Sequence, residues 1–295
     1  MAIISDVLRF LCCPDDNSKV ALRNGFLECL TCKRRYTILA ENLLEMLPSN
    51  FPSWNLNKNE PQEAERMYLK EFKQRFRWDK TSGAWGDLTN AHPSTRSFYV
   101  SEMKKTLELL NPSADGFAID VSGAVGNYAR FLSNKVKIMV NCDLHTPSIL
   151  TANNHKKSNL LCVRAPYLLL PFTSDTFDYA ICTDTLIRGW NHEVKLLKQI
   201  QRILKIGGKA VVDFHNQRWF AKNKNICSYN QSEIKRLFME AGIEQYIIYS
   251  FGYVPANLVP YQFLYPVLDS IFKYLLPPKR HIIIFTKALT NKCLV

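Results

Sequence analysis

The chain has 295 residues, a formal net charge of +12, 47% hydrophobic and 12% aromatic residues, and nine cysteines. That length allows two domains, one of them with a core of full size, and the apolar content excludes global disorder. The positive charge falls in short, dispersed runs such as Lys33-Arg34-Arg35, Lys104-Lys105, Lys156-Lys157 and Lys279-Arg280, which favours a soluble basic enzyme over a nucleic-acid-binding arm. Cys142, Cys162, Cys182, Cys227 and Cys293 lie in or near apolar segments, as small buried hydrophobes do, and no disulfide framework is expected. The N-terminal segment is interrupted by Asp6 and Arg9, and the longest apolar stretch, 257–276, by Pro260, Pro266, Asp269 and Lys273. Neither a signal peptide nor a bilayer span is therefore expected, and the chain reads as cytoplasmic.

Taken in order, residues 1–50 form a compact, cysteine-bearing module. Cys29-x2-Cys32 has the spacing that brings two thiolates to one tetrahedral metal, and Cys13-x2-Asp16 offers a second pair with one carboxylate. The alternatives are a metal-free β-core built on Phe26, Leu27, Tyr36, Ile38 and Leu43, or a redox cysteine pair. Residues 51–94 read as a connector. Pro48, Pro52 and Pro61 mark a linker, and Met67, Leu69, Phe72 and Phe76 give a helical apolar stripe. Trp78 and Trp85 then stand in an irregular, lid-like stretch with His92 as a candidate base. A helix is predicted over Thr95 to Leu110.

The third segment, 95–290, is an alternation of strands and helices. Phe117 to Asp120 is an apolar strand ending in an acid, followed by Ser122, Gly123, Ala124 and Gly126 and then a helical pattern from Tyr128. Small residues at such a turn let a ligand approach the backbone. A second strand ends at Asp143, where a carboxylate meets the hydroxyls of a bound ribose in a doubly wound sheet. Asp120, Ser122, Gly123, Gly126 and Asp143 are thus the expected nucleoside-cofactor residues. The turn lacks the Gly-x-Gly-x-x-Gly of nicotinamide sites. A helix from Thr146, a third strand over Leu160–Ala165 and a fourth ending near Cys182 follow. Asp184, just past that end, is the expected catalytic or substrate-orienting acid, and His192 the preferred histidine at the same mouth. Lys209 begins the expected fifth strand, with Asp213, His215 and Asn216 at its rim. Asn230 and Glu233 form a capping box. Gln245–Phe251 and His281–Lys287 complete the strands, and 259–278 is an apolar insertion suited to an acceptor pocket or a membrane surface.

Three motifs carry a resemblance to a known family. Leu170-Pro171-Phe172 with Phe177-Asp178, and Arg202-Ile-Leu-Lys-Ile-Gly207-Gly208, resemble the class I S-adenosylmethionine-dependent methyltransferases over roughly residues 95 to 288. The first module resembles the zinc-ribbon-like domain that precedes some of them or serves as their partner, usually with four cysteines where this chain has Asp16. The resemblance implies an α/β fold: a Rossmann-like seven-stranded methyltransferase sheet, the last strand antiparallel, with a small N-terminal β-rich zinc-ribbon-like module. It implies S-adenosyl-L-methionine as cofactor and zinc at Cys13, Asp16, Cys29 and Cys32. Two departures stand out. The family's Asp-x-Gly-x-Gly-x-Gly reads Asp120-Val-Ser122-Gly-Ala124-Val-Gly126, and Pro166 stands where an acid usually follows the third strand. The expected function is methyl transfer to a small or lipid-like metabolite. RNA methylation, favoured by the net charge, and a non-catalytic binding module with an eroded loop are the alternatives.

Overall fold

In the computed structural model, residues 2–49, 88, 91–186, 192–216, 228–254, 259, 261 and 263–289 are described. The connector helix, Trp78, Trp85 and the loop around Arg188 lie outside them. A short helix, α1 (Ala2–Val7), precedes four strands: β1 (Val20–Arg23), β2 (Phe26–Cys29), β3 (Arg35–Ala40) and β4 (Leu43–Glu45). Then come α2 (Pro93–Leu110), β5 (Phe117–Val121), α3 (Asn127–Leu132), β6 (Ile138–Asp143), α4 (Thr146–Asn153) and β7 (Leu160–Arg164). The chain continues through β8 (Phe177–Cys182), α5 (Glu193–Ile203), β9 (Leu204–His215), α6 (Gln231–Ala241), β10 (Tyr246–Phe251), α7 (Tyr265–Phe272) and β11 (Arg280–Thr286).

All strands join one sheet in the order β1-β2-β3-β4-β7-β6-β5-β8-β9-β11-β10. The seven strands from β7 to β10 are the expected methyltransferase order, with β11 antiparallel to both neighbours. Every residue of β5, β6 and β7 is buried, because helices cover both faces and leave no polar side to alternate with. One face packs on Ile3, Ile4 and Val7 of α1, Leu197 and Ile200 of α5 and Phe238 of α6. The other packs on Met103 and Leu110 of α2, Ala129 and Leu132 of α3 and Ile149 of α4.

The ribbon does not stand apart from this sheet. β4 pairs parallel to the β7 edge, Leu43 with Cys162 through Glu45 with Arg164. Arg164, fully buried, is neutralised there by Glu45 at 2.6 Å. A second stitch joins Leu170-Pro171-Phe172: Cys12 N–H donates to the Pro171 carbonyl and Thr173 N–H to that of Phe10. Covering an exposed parallel edge removes a row of unpaired backbone groups.

Two element starts differ from expectation. α2 begins at Pro93 because His92 is its N-cap, accepting the Ser94 N–H on Nδ1. β9 begins at Leu204, since α5 stops at Ile203 and the chain bulges through Gly207 (φ +79°) before rejoining β8 at Lys209. Arg202 fixes that corner by donating to the Leu170 and Phe172 carbonyls, and Lys205 pairs with Asp178 at 2.8 Å. The motifs that carried the resemblance are therefore structural braces. The predicted capping box of α6 forms, with Glu233 N–H on Asn230 and Asn230 N–H on Glu233, both at 2.9 Å.

Candidate active site

The C-terminal ends of β5, β6, β8 and β9 and the start of β11 share one rim of the sheet, the place where open α/β sheets bind ligands. The turn from β5 to α3 lies there. Ser122, Ala124 and Gly126 all adopt left-handed backbone, at φ of +59°, +46° and +73°. These are the three glycine positions of the family motif, so the two substitutions fall where a Cβ costs about 1 kcal/mol or more each. Gly123 is needed for space instead, since a Cβ there would lie 2.0 Å from Asn141 Oδ1 and 2.5 Å from Asp120 Cγ.

Hydrogen bonds offset the strain. Ser122 N–H donates to the Cys142 carbonyl, Asn141 Nδ2 to that of Ala124, and His155 Nε2 meets that of Val125. Asp143 ties the turn to the start of α4: its Oδ2 accepts the Ala124 N–H at 2.9 Å and its Oδ1 the His145 N–H at 2.7 Å. Each oxygen keeps a lone pair for a ligand. Burial pushes the Asp143 carboxyl up to about 6 against these two donors. Asp120 lies behind the turn, buried, with Oδ2 unpartnered. Burial first, and then the charge of Asp143, raises it to about 8. The small-residue turn, the acid at the end of β6 and an orphaned carboxyl oxygen beneath them fit a nucleoside cofactor.

Asp184 follows β8 with φ +55° and a side chain 43% exposed. It is not a solitary acid. Arg280 Nη1 stands 2.7 Å from its Oδ1, and His215 Nε2 3.1 Å from the same atom. Although burial opposes ionisation, Arg280 and His215 outweigh it and hold Asp184 well below the usual carboxylate range. Its backbone N–H donates to Asp213 Oδ1 at 2.7 Å. Arg280, itself buried, also pairs with Asp213 and with Glu102 of α2, the latter at 3.1 Å. Among the described residues the second ring nitrogen of His215 has no partner. His192 stands at the N-cap position of α5, where its Nδ1 meets the Tyr167 hydroxyl at 3.4 Å; the partner of Asp184 is His215 instead. From the sequence alone His215 stands at the rim with no assigned partner. The missing signal is the register of β11 on β9, which sets Arg280 opposite His215.

The cysteine module brings its four predicted ligands together. One ligand atom each of Cys13, Asp16, Cys29 and Cys32 lies within 4.8 Å of every other. Cys13 and Cys32 sulfurs are 3.7 Å apart, and both Asp16 oxygens are 3.5 Å from Cys29 Sγ. A tetrahedron with Zn–S of about 2.3 Å and Zn–O of about 2.1 Å has edges of about 3.8 and 3.6 Å, so the donor set fits that ion. The backbone N–H groups of Thr31 and Cys32 point at Cys29 Sγ, and that of Ser18 holds Asp16 ionised, its carboxyl lowered to about 2. A cleft of about 440 Å³ lined by Ile3, Asp6, Arg9, Phe117, Lys137 and Asn159 opens at the opposite end of the strands and is no part of the rim.

Residues 119–212 match a family model described as "Methyltransferase domain". A comparison with curated protein sequences finds no match. Among solved structures, the chain is similar to a Thermotoga maritima S-adenosylmethionine-dependent methyltransferase described as a possible histamine N-methyltransferase (18% identity, 75% of this chain and 96% of that one, TM-score 0.51). It is also similar to a chain of the complex between the Haloferax volcanii Trm112 methyltransferase activator and a methyltransferase (14%, 67% and 95%, TM-score 0.52). A third is Haemonchus contortus phosphoethanolamine N-methyltransferase 2 with S-adenosyl-L-methionine (16%, 64% of this chain, TM-score 0.50), of which this chain spans 53%. At these identities the likeness is one of fold. The matched segment, 119–212, and the strand order together show the fold of the S-adenosylmethionine-dependent methyltransferases.

Proposed function

We propose that the chain is an S-adenosylmethionine-dependent methyltransferase acting on a small or lipid-like acceptor. The observation that carries this reading is Asp143, a carboxylate at the end of β6 gripping the turn after β5. When bound, the cofactor supplies an already activated methyl group with a neutral leaving thioether. Asp143 would hold the ribose hydroxyls, and the Ser122–Gly126 turn would let the backbone come close, with Asp120 and Gly123 beneath it. Asp184 serves as a positioning acid. Kept ionised by Arg280, it orients His215, whose free nitrogen can take the proton of a hydroxyl or amine acceptor. His192 and Tyr167 would line the other side of the mouth. RNA is the less favoured acceptor, because Arg164 and Arg280 are internal and Arg202 is spent on backbone carbonyls, which leaves less charge for phosphates than +12 suggests.

S-adenosylhomocysteine is expected to raise the melting temperature, by an amount set by its concentration over its dissociation constant. Asp143→Asn keeps the volume and one acceptor for the turn but weakens the ribose contact, and should lose most of the shift. No shift in the wild type at millimolar ligand would sink the enzyme reading and leave the binding-module one.

The cysteine cluster supports a bound zinc ion. Metal analysis of protein prepared without chelator should find about one equivalent per chain, lost in Cys29→Ser. Less than about a tenth of an equivalent, with an unchanged melt, leaves a metal-free ribbon. The edge pairing of β4 on β7 supports a role for residues 1–50 as a built-in counterpart of a methyltransferase activator, the part Trm112 plays in the Haloferax complex. Residues 51–94 would then be the connector to the domain over 95–290.

A further inference from the structure

Helix α7 and its flanks carry large apolar side chains on two opposite sides, and among the described residues only one side is covered. The inner side, Tyr265, Leu268 and Phe272, packs with Phe98 and Val254. The outer side shows Val267, Ile271, Tyr274 and Leu275 at helical spacing, with Tyr261 and Phe263 just before the helix, each between 52% and 80% exposed. Single exposed apolar residues are ordinary, but six within fifteen positions form a patch that asks for a partner.

Charge indicates which partner. Asp269 is the sole acid between residues 252 and 279, and it is turned inward, where its carboxylate accepts the N–H groups of Gly252, Tyr253 and Val254. The outer side is left with Lys273, its ammonium 4.8 Å from the Tyr274 ring. Apolar side chains edged by two tyrosines and a lysine, on a chain of net charge +12, complement an anionic lipid surface. The aliphatic groups enter the acyl boundary while phenols and ammonium stay among the headgroups. A second copy of this chain would instead bring net positive charge against net positive charge. Eight residues of helix are too few to span a bilayer, and no helix among the described residues is long and apolar enough to do so, so α7 would lie flat.

We infer that residues 261–275 form a docking surface for anionic membranes. The helix adjoins the rim: Asp269 of α7 accepts the Gly252 N–H, and the Gly252 carbonyl accepts the N–H of Lys279, the neighbour of Arg280, which holds Asp184. Docking there brings the mouth of the site to the lipid. The inference stands on the patch and its charges and does not depend on methyl transfer.

Sedimentation of the full chain with phosphatidylcholine vesicles, with and without phosphatidylglycerol, tests it. The chain should sediment with the anionic vesicles, less so as salt rises, and much less with the neutral ones. Val267→Asp with Ile271→Asp should lower partitioning at least about tenfold, with the melting temperature and the S-adenosylhomocysteine response unchanged because both positions face solvent. Three results would overturn the proposal. They are no binding of the wild type to anionic vesicles, equal binding of the variant, and a wild-type dimer by light scattering that the same substitutions dissolve. A large fall in melting temperature would equally overturn it, since the face would then be covered by the protein's own chain.

Discussion

Replacing Arg280 with methionine should destabilise the protein by about 3–5 kcal/mol, the usual cost of leaving buried charge without its partner. Arg280 opens β11 and sits between three carboxylates, those of Glu102, Asp184 and Asp213. Glu102 and Asp213 are nearly inaccessible, so water cannot take over when the guanidinium goes. Glu102 rides on α2, so its contact with Arg280 lies between that helix and the sheet. Burial already pushes the Glu102 carboxyl up to about 8, with Arg280 opposing. In the methionine variant that opposition is gone, and Glu102 and Asp213 can escape only by taking protons. The loss should therefore be largest above pH 8 and smaller near pH 6, because a raised carboxyl gives stability below its folded pKa that is lost as pH rises through it. Glu102→Gln is the contrast: a group mostly protonated at neutral pH loses little when its proton carrier becomes an amide, and about 1 kcal/mol or less is expected. Urea unfolding of the three proteins at pH 6 and pH 8 reads both effects. Arg280→Met within 1 kcal/mol of the wild type at pH 8 would falsify the account of the cluster.

The parts of the molecule that were legible in the sequence are those governed by local rules. Apolar runs at Phe117, Ile138 and Leu160 become fully covered strands and that at Phe177 a mostly covered one, and Asn230 with Glu233 caps α6 as two side chains three apart can. What escaped depends on distant partners. Leu43-Leu44-Glu45 reads as one more ribbon strand, and nothing in three residues tells which edge it will meet; Glu45 finds Arg164 119 positions later. Lys279-Arg280 looks like one of several dispersed surface pairs, yet Arg280 is 1% exposed because β11 sets it against Asp213, 67 positions away. Asp184 is at the predicted mouth, but its neighbours turn a reactive acid into an ion-paired one. The turn is an intermediate case. That Ser122 and Ala124 replace glycines is visible in the sequence, whereas only the backbone shows that both fall on left-handed positions.

Asp120→Asn should flatten the dependence of stability on pH between about 6.5 and 8. The folded carboxyl is raised from an ordinary value of 3.8 to about 8, so folding binds a proton across the range between them. Stability from this group is complete below about pH 4 and is lost as pH rises through 8. Other groups narrow the useful window. Asp143, raised to about 6, acts in the same direction but is nearly finished above that pH. His281, lowered by burial to about 4, acts oppositely and only below its ordinary 6.5, and Lys279, lowered to about 8, titrates mainly above that pH. Asp120 and Glu102 both titrate between 6.5 and 8, each worth at most about 1.4 kcal/mol per pH unit, and burial raises Asp213 and Asp269 in the same direction. Geometry supports a protonated Asp120 independently. Asp120 and Asn141 are cross-strand partners on β5 and β6, both crowd the space beside Gly123, and Asp120 Oδ2 and Asn141 Oδ1 are both buried without a partner. The Asn141 amide nitrogen is committed to the Ala124 carbonyl, which leaves its oxygen as a buried acceptor beside the same glycine, one that a proton on the Asp120 carboxyl would suit. Asparagine at 120 supplies an N–H in place of that proton and cannot titrate. The variant should match the wild type near pH 6.5 and exceed it by roughly 1–2 kcal/mol at pH 8, measured by urea unfolding at closely spaced pH. If the variant keeps the wild-type slope, the titrating group is another buried acid and Asp120 is ionised beneath the turn.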